Sequence, residues 1–331
     1  MKRGLRLLQV LGILLLLPLA AQAQYAYEHA FLWTQADGMQ DLGTIKGWQN
    51  SIAYAISDLG EVVGYDGLNS HETAFRWAPS AAMQHLPGSG TTDAVAAAVN
   101  SSGEIAGTYY LPGGAIHSFL WTKDGEIKDL GSLGGGSTVA TGINRSGEVV
   151  GYSNTPTPGV DHAFLWTQSG GMQDLGALLG PASSSQAWAI NDSGIVAGRS
   201  TAANGDDLAV VWKAGKIEIL GPGLAQGIND LEQVVGESYT PKTPQRAFVW
   251  DAKSGMQLLP LLPGALASFG QGINNSGEVV GWSLGSGDFY QAFLWTSAAG
   301  TQDLGNLGGN YGAQAFAIND AGQVVGSSSI Q

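Results

Sequence analysis

The chain has 331 residues and a formal net charge of −13 at pH 7, with 27 acidic residues against 14 basic ones. An acidic surface repels phosphates, so nucleic acid is excluded as a partner. Hydrophobic residues make up 44% of the chain and there is no cysteine, which rules out disorder, a disulfide framework and lipoprotein attachment.

The first element is a leader. Lys2, Arg3 and Arg6 form a basic start, Leu7 to Leu19 an apolar core, and Ala21-Gln22-Ala23 an A-x-A cleavage site. The apolar stretch is short for a membrane span, which needs ~20 residues. The reading is a signal peptide over 1–23 and a single domain over 24–331. The mature chain is then a soluble monomer, periplasmic or extracellular, with no membrane span. Loss of the three leader cations takes the charge from −13 to −16.

Tandem copies of one unit fill the rest. A tryptophan closes a short apolar run at Trp33, Trp77, Trp121, Trp166, Trp212, Trp250 and Trp295, at spacings of 44, 44, 45, 46, 38 and 45. A string A-I-N-x-x-G-E-V-V-G is centred on Ile56, Val99, Ile143, Ile190, Ile228, Ile273 and Ile318. A third marker, D-L-G, is clearest at Asp41, Asp129, Asp174 and Asp303. A period in this range signals a repeat architecture.

Each unit reads as four short strands, a to d. In one copy these are Val139 to Ile143, Glu148 to Tyr152, His162 to Trp166 and Met172 to Leu175. They are rich in β-branched and aromatic residues, and Gly, Asn, Ser and Pro separate them. Asn144-Arg145-Ser146-Gly147 fits a type I turn capped by its Asn. Seven such units predict an all-β, seven-bladed β-propeller of four-stranded antiparallel blades. Strand a carries small residues in pairs such as Ala53/Ala55, Ala140/Gly142 and Gly270/Gly272, as the crowded innermost strand would. The chain starts with strands c and d and ends with a and b. The two ends therefore complete one blade together, a two-plus-two closure that hides both free edges. The alternative phase, c–d–a–b, gives unsplit blades.

His-Ala-Phe-Leu-Trp stands at 29–33 and 162–166, with weaker forms at 291–295 and 246–250, and G-I-N-x-S-G-E-V-V-G at 142–151 and 272–281. Together these resemble the HAF family of predicted bacterial extracellular repeat proteins, over roughly residues 29 to 327. The resemblance implies export and a tandem β architecture. It implies no catalytic residue. The copies containing His85, Ile219 and Leu259 lack the Asp of D-L-G, and Leu208 to Trp212 replaces HAFLW with LAVVW.

Residues fixed by repeat phase read as scaffold. His29, His117 and His162 share one position ahead of strand c, where other copies have Thr73, Leu208, Arg246 and Gln291. A strand-edge hydrogen bonder explains them better than a catalyst. The residue after the turn Asn runs Asp58, Ser101, Arg145, Asp192, Asp230, Asn275, Asp320, and the arginine argues against a calcium ligand. The recurrent Trp is blade core. No metal, cofactor or catalytic residue is expected.

Function is sought where the repeat breaks. The a–b and c–d turns are short and uniform, whereas the d–a and b–c connections vary and share the opposite face. The variable position of strand a runs Tyr54, Ala97, Thr141, Trp188, Gln226, Gln271, Phe316. Tyr54, Trp188, Gln226, Gln271 and Phe316 are the candidate ligand-binding set. Trp48, Tyr109, Tyr110, Trp282, Tyr290 and Tyr311 are the loop-face candidates. Aromatics with amides suit a neutral polar ligand, although gap filling between blades would account for them too. The reading is a non-catalytic binding module for a protein or carbohydrate partner. A hydrolase or lyase acting on polysaccharide is the alternative, as is a passive surface protein. A cluster of non-repeated carboxylates or His on one face would mark the enzyme. The loop acids Asp66, Asp93, Asp161, Asp206, Asp207 and Asp288 are read as dispersed around the ring.

Overall fold

The computed structural model describes residues 27–68, 71–87, 93–240, 243–287 and 289–331. Residues 1–23, read as a leader, and the loop acid Asp288 lie outside them. Among the described residues every regular element is a strand, and the strands form seven four-stranded antiparallel sheets. Blade 1 comprises β3 (Asn50–Ile56), β4 (Val62–Leu68), β5 (His71–Ala78) and β6 (Ala81–His85). Blades 2 to 6 repeat that order, each beginning with its inner strand: β7 (Ala94–Val99), β11 (Thr138–Ile143), β15 (Ser185–Ile190), β19 (Leu224–Ile228) and β23 (Ala267–Ile273).

Blade 7 is built from both ends of the chain. Its order is β27 (Ala313–Ile318), β28 (Val324–Ser329), β1 (Glu28–Thr34), β2 (Gly38–Gly43). Phe31 pairs with Gly326 and Trp33 with Val324 across the seam. The two-plus-two closure is therefore present, and it settles the phase. Each inner strand packs on those of both neighbouring blades, and β27 returns to β3 to close the ring.

Seven apolar clusters are found among the described residues, one between each pair of neighbouring blades. The clasp is locked this way: Ala30, Leu32 and Val325 of blade 7 pack with Ala53, Val62 and Phe75 of blade 1. The recurrent tryptophans fill these seams, with Trp33, Trp121, Trp166 and Trp212 buried.

Two features explain the small residues. On the inner strands, a side chain at Gly142, Gly227 or Gly272 would press on a carbonyl of the next blade, from Trp188, Gln271 and Phe316 respectively. On the second strand, the Gly of V-V-G has no room for a methyl. At Gly151 it would collide with the carbonyl oxygen of Val139 and the ring of Phe164. The inner strands also share an irregularity. Each register skips one residue: Tyr54, Ala97, Thr141, Trp188, Gln226, Gln271 or Phe316. The variable position of the sequence is thus a β-bulge, where the residue escapes ladder pairing and its side chain is freed to differ.

Candidate functional site

The face of short turns is committed to scaffold. In each a–b turn the Asn side chain does two jobs. Asn144 Oδ1 accepts from the backbone N–H of Ser146 and Glu148, which caps the turn. Its Nδ2 donates to Glu148 and to the carbonyl of Asn191 on the next blade. The inter-blade bond recurs around the axis, from Asn100 to Asn144, Asn191 to Asn229, Asn229 to Asn274 and Asn274 to Asn319, at 2.9–3.1 Å. Asn319 then donates to Ser57 at 3.0 Å and bridges the clasp. Ser57 has no amide, so the ladder has one gap.

The following residues form a second ring. Backbone N–H groups of Arg145, Asp192, Asp230, Asn275 and Asp320 donate to the side chains of Asp192, Asp230, Asn275, Asp320 and Asp58 in turn, at 2.8–3.1 Å. Turn capping by the Asn was expected; the coupling of neighbouring blades by both rings was not legible. The residues of both rings and the Ile/Val residues that precede them line an open axial cavity of about 230 Å³.

The shared histidines are strand-edge hydrogen bonders. His29, His117 and His162 place Nδ1 at 2.8–2.9 Å from Asp41, Asp129 and Asp174 on the outer strand. Gln291 donates to Asp303 in the same way. The Asp also caps the following turn, as Gly176 N–H donates to Asp174.

The candidate residues of the inner strands split. Trp188 and Gln226 are buried, at 7% and 8% exposure, whereas Tyr54, Gln271 and Phe316 are half-buried. Tyr54 and Phe316 pack at 5.6 Å on adjacent blades, and Trp188 packs edge-on against Tyr152 at 5.6 Å. The set does not close into one ring of contacts. Among the loop-face residues, Trp282 stacks on Phe269 at 3.9 Å and meets Tyr290 edge-on. Tyr109 donates to Asp129, Tyr110 is half-buried, and Tyr311 is exposed.

Two of the acids read as dispersed are in fact joined. Asp161 and Asp207 begin third strands on blades 3 and 4 and belong to one hydrogen-bonded network. Asn154 donates to Asp161 at 2.6 Å, and Gln186 donates to its other oxygen at 3.4 Å. Arg199 donates to Gln186 at 3.0 Å and to Asp207 at 2.6 Å. Tyr239 of blade 5 donates to Asp207 at 3.3 Å. Burial, with Asp207 adding to it, pushes the Tyr239 phenol up to about 12; burial and Asp161 do the same for Tyr152. Both phenols therefore remain donors. Arg199 holds the slot where other blades have Tyr65, Thr108, Tyr152, Glu237, Trp282 and Ser327.

A cleft of about 390 Å³ opens beside this network, between the loops of blades 3 and 4. Val160, Leu179 and Ala182 give it apolar walls, and Ser183, Ser184 and Thr201 supply hydroxyls. Thr201 reaches Asp207 at 3.4 Å and Ser184 reaches the backbone of Asp161 at 3.4 Å, so cleft and network are continuous. The sequence signal is confined to Arg199, since Gln314 shares the Gln186 slot and Glu28, Glu72 and Asp207 are acids in the Asp161 slot; the convergence requires the fold.

Known structures share this architecture. The chain is similar to a puromycin-hydrolyzing peptidase from Mycobacterium tuberculosis, with a TM-score of 0.58 and 11% identity over 84% of this chain and 52% of that one. It is similar to a protein assigned as TolB from Agrobacterium tumefaciens, at 0.53 and 12%, over 92% and 99%. TolB from Acinetobacter baumannii follows at 0.50 and 10%, over 70% and 62%. The chain thus spans less than two thirds of that TolB and about half of the peptidase. At such identities the likeness is one of fold. No family model and no curated protein matches the chain.

Blade 1 departs from the repeat in another way. Five blades carry Ser after the Gly-x of the second strand, at Ser153, Ser200, Ser238, Ser283 and Ser328; blade 1 has Asp66 there. The Asp of D-L-G is replaced by His85, and the usual His by Thr73. The acid has moved to the second strand and the imidazole to the outer one. Asp66 is fully buried, and its Oδ2 lies 3.6 Å from His85 Nε2. Trp48 meets the His85 ring edge-on at 4.9 Å.

Proposed function

We propose that this chain is an exported, non-catalytic binding module whose loop face, at blades 3 to 5, binds a neutral, hydroxyl-rich ligand of the carbohydrate class. One observation carries the reading: a network of acid, amide, guanidinium and phenol, built around the one arginine of the second-strand slot, borders the cleft between blades 3 and 4. Hydroxyl-bearing ligands need donors and acceptors fixed in place beside apolar walls. Asp161 and Asp207 outnumber Arg199, which disfavours an anionic ligand. Both acids are held by neighbours on each side, which supports recognition over acid–base chemistry. The charge, the leader at 1–23 and the HAF-type repeat fit an extracytoplasmic address. No helix of the described residues is long and apolar enough to cross a membrane.

A protein partner is the second reading. It is favoured by Leu179, Leu266 and Tyr311, which stand 57%, 58% and 44% exposed on d–a loops of the same face.

The test is calorimetry of the mature protein against neutral gluco-, manno-, xylo- and N-acetylglucosamine tetrasaccharides. Arg199→Ala and Gln186→Ala should each weaken the binding of whichever saccharide is taken by about tenfold, near 1.4 kcal/mol. Failure of the wild type to bind any member, or equal binding by both variants, refutes the reading. Fractionation of cells expressing the full chain, with the mature protein starting at Gln24, tests export.

A further inference from the structure

We propose that Asp66, His85 and Trp48 form a proton-operated latch on the 44–49 loop of the loop face.

The other blades supply an internal control. In blades 3, 4 and 7 the Ser hydroxyl at the Asp66 position accepts one N–H of the incoming d–a loop: Leu133 to Ser153, Leu178 to Ser200 and Leu307 to Ser328, at 2.9–3.0 Å. Asp66 Oδ2 does the same for Ile45 at 3.2 Å. One oxygen thus performs the scaffold task. The other, Oδ1, is buried and has no hydrogen-bond partner, and neither has His85 Nε2. A serine would hold the loop equally well. The carboxyl therefore adds nothing to the anchor except an ionisable group at its root.

The loop is coupled to that group at two points. Ile45 N–H hangs on the carboxyl, and Trp48 rests on the imidazole facing it. Thr44 and Ile45 tie Trp48 into the same turn, through Thr44 Oγ1 to Trp48 O at 3.0 Å and Trp48 N to Ile45 O at 2.9 Å. The charged surroundings are sparse. Lys46 of the loop is exposed, and Tyr65 and Glu72 alternate to the other side of their strands. His71 pairs with Asp93 at 3.2 Å, and Asp41 of the preceding strand with His29 at 2.9 Å. The inner strand brings Asn50 and Ser51, which do not titrate. Glu28 of β1, which packs on the inner strand, is a further acid, so among the described residues His85 alone stands ready to balance the carboxylate.

With one proton on the pair, the buried site carries no net charge. Once it leaves, a buried carboxylate faces a neutral ring, and the free energy favours moving it toward water. Burial pushes Asp66 up to about 7 and His85 down, which places the change near neutrality. Ile45 and Trp48 must follow. The device stands whether or not the loop face binds a carbohydrate.

The experiment follows Trp48 emission as the difference between the wild type and Trp48→Phe, from about pH 5 to about pH 9. The expected result is a single transition near pH 7 in the wild type and none in Asp66→Ser. Amide exchange at Ile45 and Trp48, corrected for its intrinsic rise with pH, should accelerate through the same transition in the wild type alone. Asp66→Asn, which keeps an acceptor for Ile45 and cannot ionise, replaces the serine variant if that one fails to fold. A flat wild-type profile, or a transition that survives both substitutions, overturns the latch.

Discussion

The asparagine ladder has one gap, and the gap predicts a stabilising substitution. Ser57 accepts from Glu61 N–H at 3.2 Å and receives Asn319 Nδ2 on its carbonyl, but it has nothing to pass on to Asn100. Ser57→Asn should supply that bond and a second cap on the turn. Six other blades house Asn in the same turn, so the amide fits without strain. Two added hydrogen bonds at about 1 kcal/mol each give a gain of roughly 1–2 kcal/mol. The reverse change probes the clasp. Asn319 makes four side-chain hydrogen bonds: to Ser57, to Gln323 Oε1, and from the N–H groups of Ala321 and Gln323. A serine would keep one of them, as Ser57 does, so Asn319→Ser should cost about 3 kcal/mol. The Ser57 carbonyl is not orphaned, because Gly60 N–H also donates to it. Urea unfolding at one pH measures both, with an unchanged slope showing that the denatured state is the same. Leu59→Ser, exposed in the same turn, is the control and should stay within about 0.5 kcal/mol of the wild type. A ladder that matters to the ring is refuted if Ser57→Asn destabilises, or if Asn319→Ser costs no more than the control.

Gly151→Ala should destabilise by about 3 kcal/mol or more, because the methyl meets the backbone carbonyl of Val139, which cannot yield; the yield of soluble protein and urea melts report it. His117→Gln should be nearly neutral, within about 0.5 kcal/mol, since Gln291 already bonds Asp303 in the same slot; a larger loss would show that the imidazole does more than bridge two strands. Asp66→Ser should stabilise the protein in a pH-dependent way. Its folded-state pKa is raised to about 7, so the wild type loses stability as pH rises from the unfolded value through 7, and the variant does not. The gap between them should be small near pH 4 and at most roughly 4 kcal/mol above pH 7, less whatever His85 returns. Parallel melts with pH would contradict the raised pKa.

The fold was legible because the repeat samples each structural constraint seven times. Turn chemistry, small residues on strand a and the phase of the two ends all recur or fall at fixed places, and they gave the blade count, the innermost strand and the clasp. The three shared histidines were read correctly as strand-edge groups for the same reason. What escaped were bonds between blades. Asn144 caps its own turn over four residues, which sequence shows. Its second bond runs to Asn191, and only the ring brings those two together. Asp161 and Asp207 stand in the sequence as separate loop acids and nothing there joins them to Gln186 and Arg199; the bond from Gln186 to Asp161 crosses from blade 4 to blade 3.

The same reasoning explains why both proposals fall on blades that depart from the repeat. A substitution shared by all seven blades changes the scaffold, whereas one confined to a single blade is a local cost the ring tolerates. Blade interfaces couple only neighbours, so a burden in one blade is not multiplied around the ring. Asp66 is such a burden, since the serine used elsewhere would anchor its loop without a buried charge. Arg199 is another, since a guanidinium must be matched by Asp207 and Gln186 to be held there. Groups that cost stability and are absent from otherwise equivalent blades mark sites where the propeller does something besides hold its shape. On that argument the proposed recognition network at blades 3 to 5 and the proposed proton-responsive loop at blade 1 would be two independent stations. Separate loss of the two by Arg199→Ala and Asp66→Ser would establish their independence.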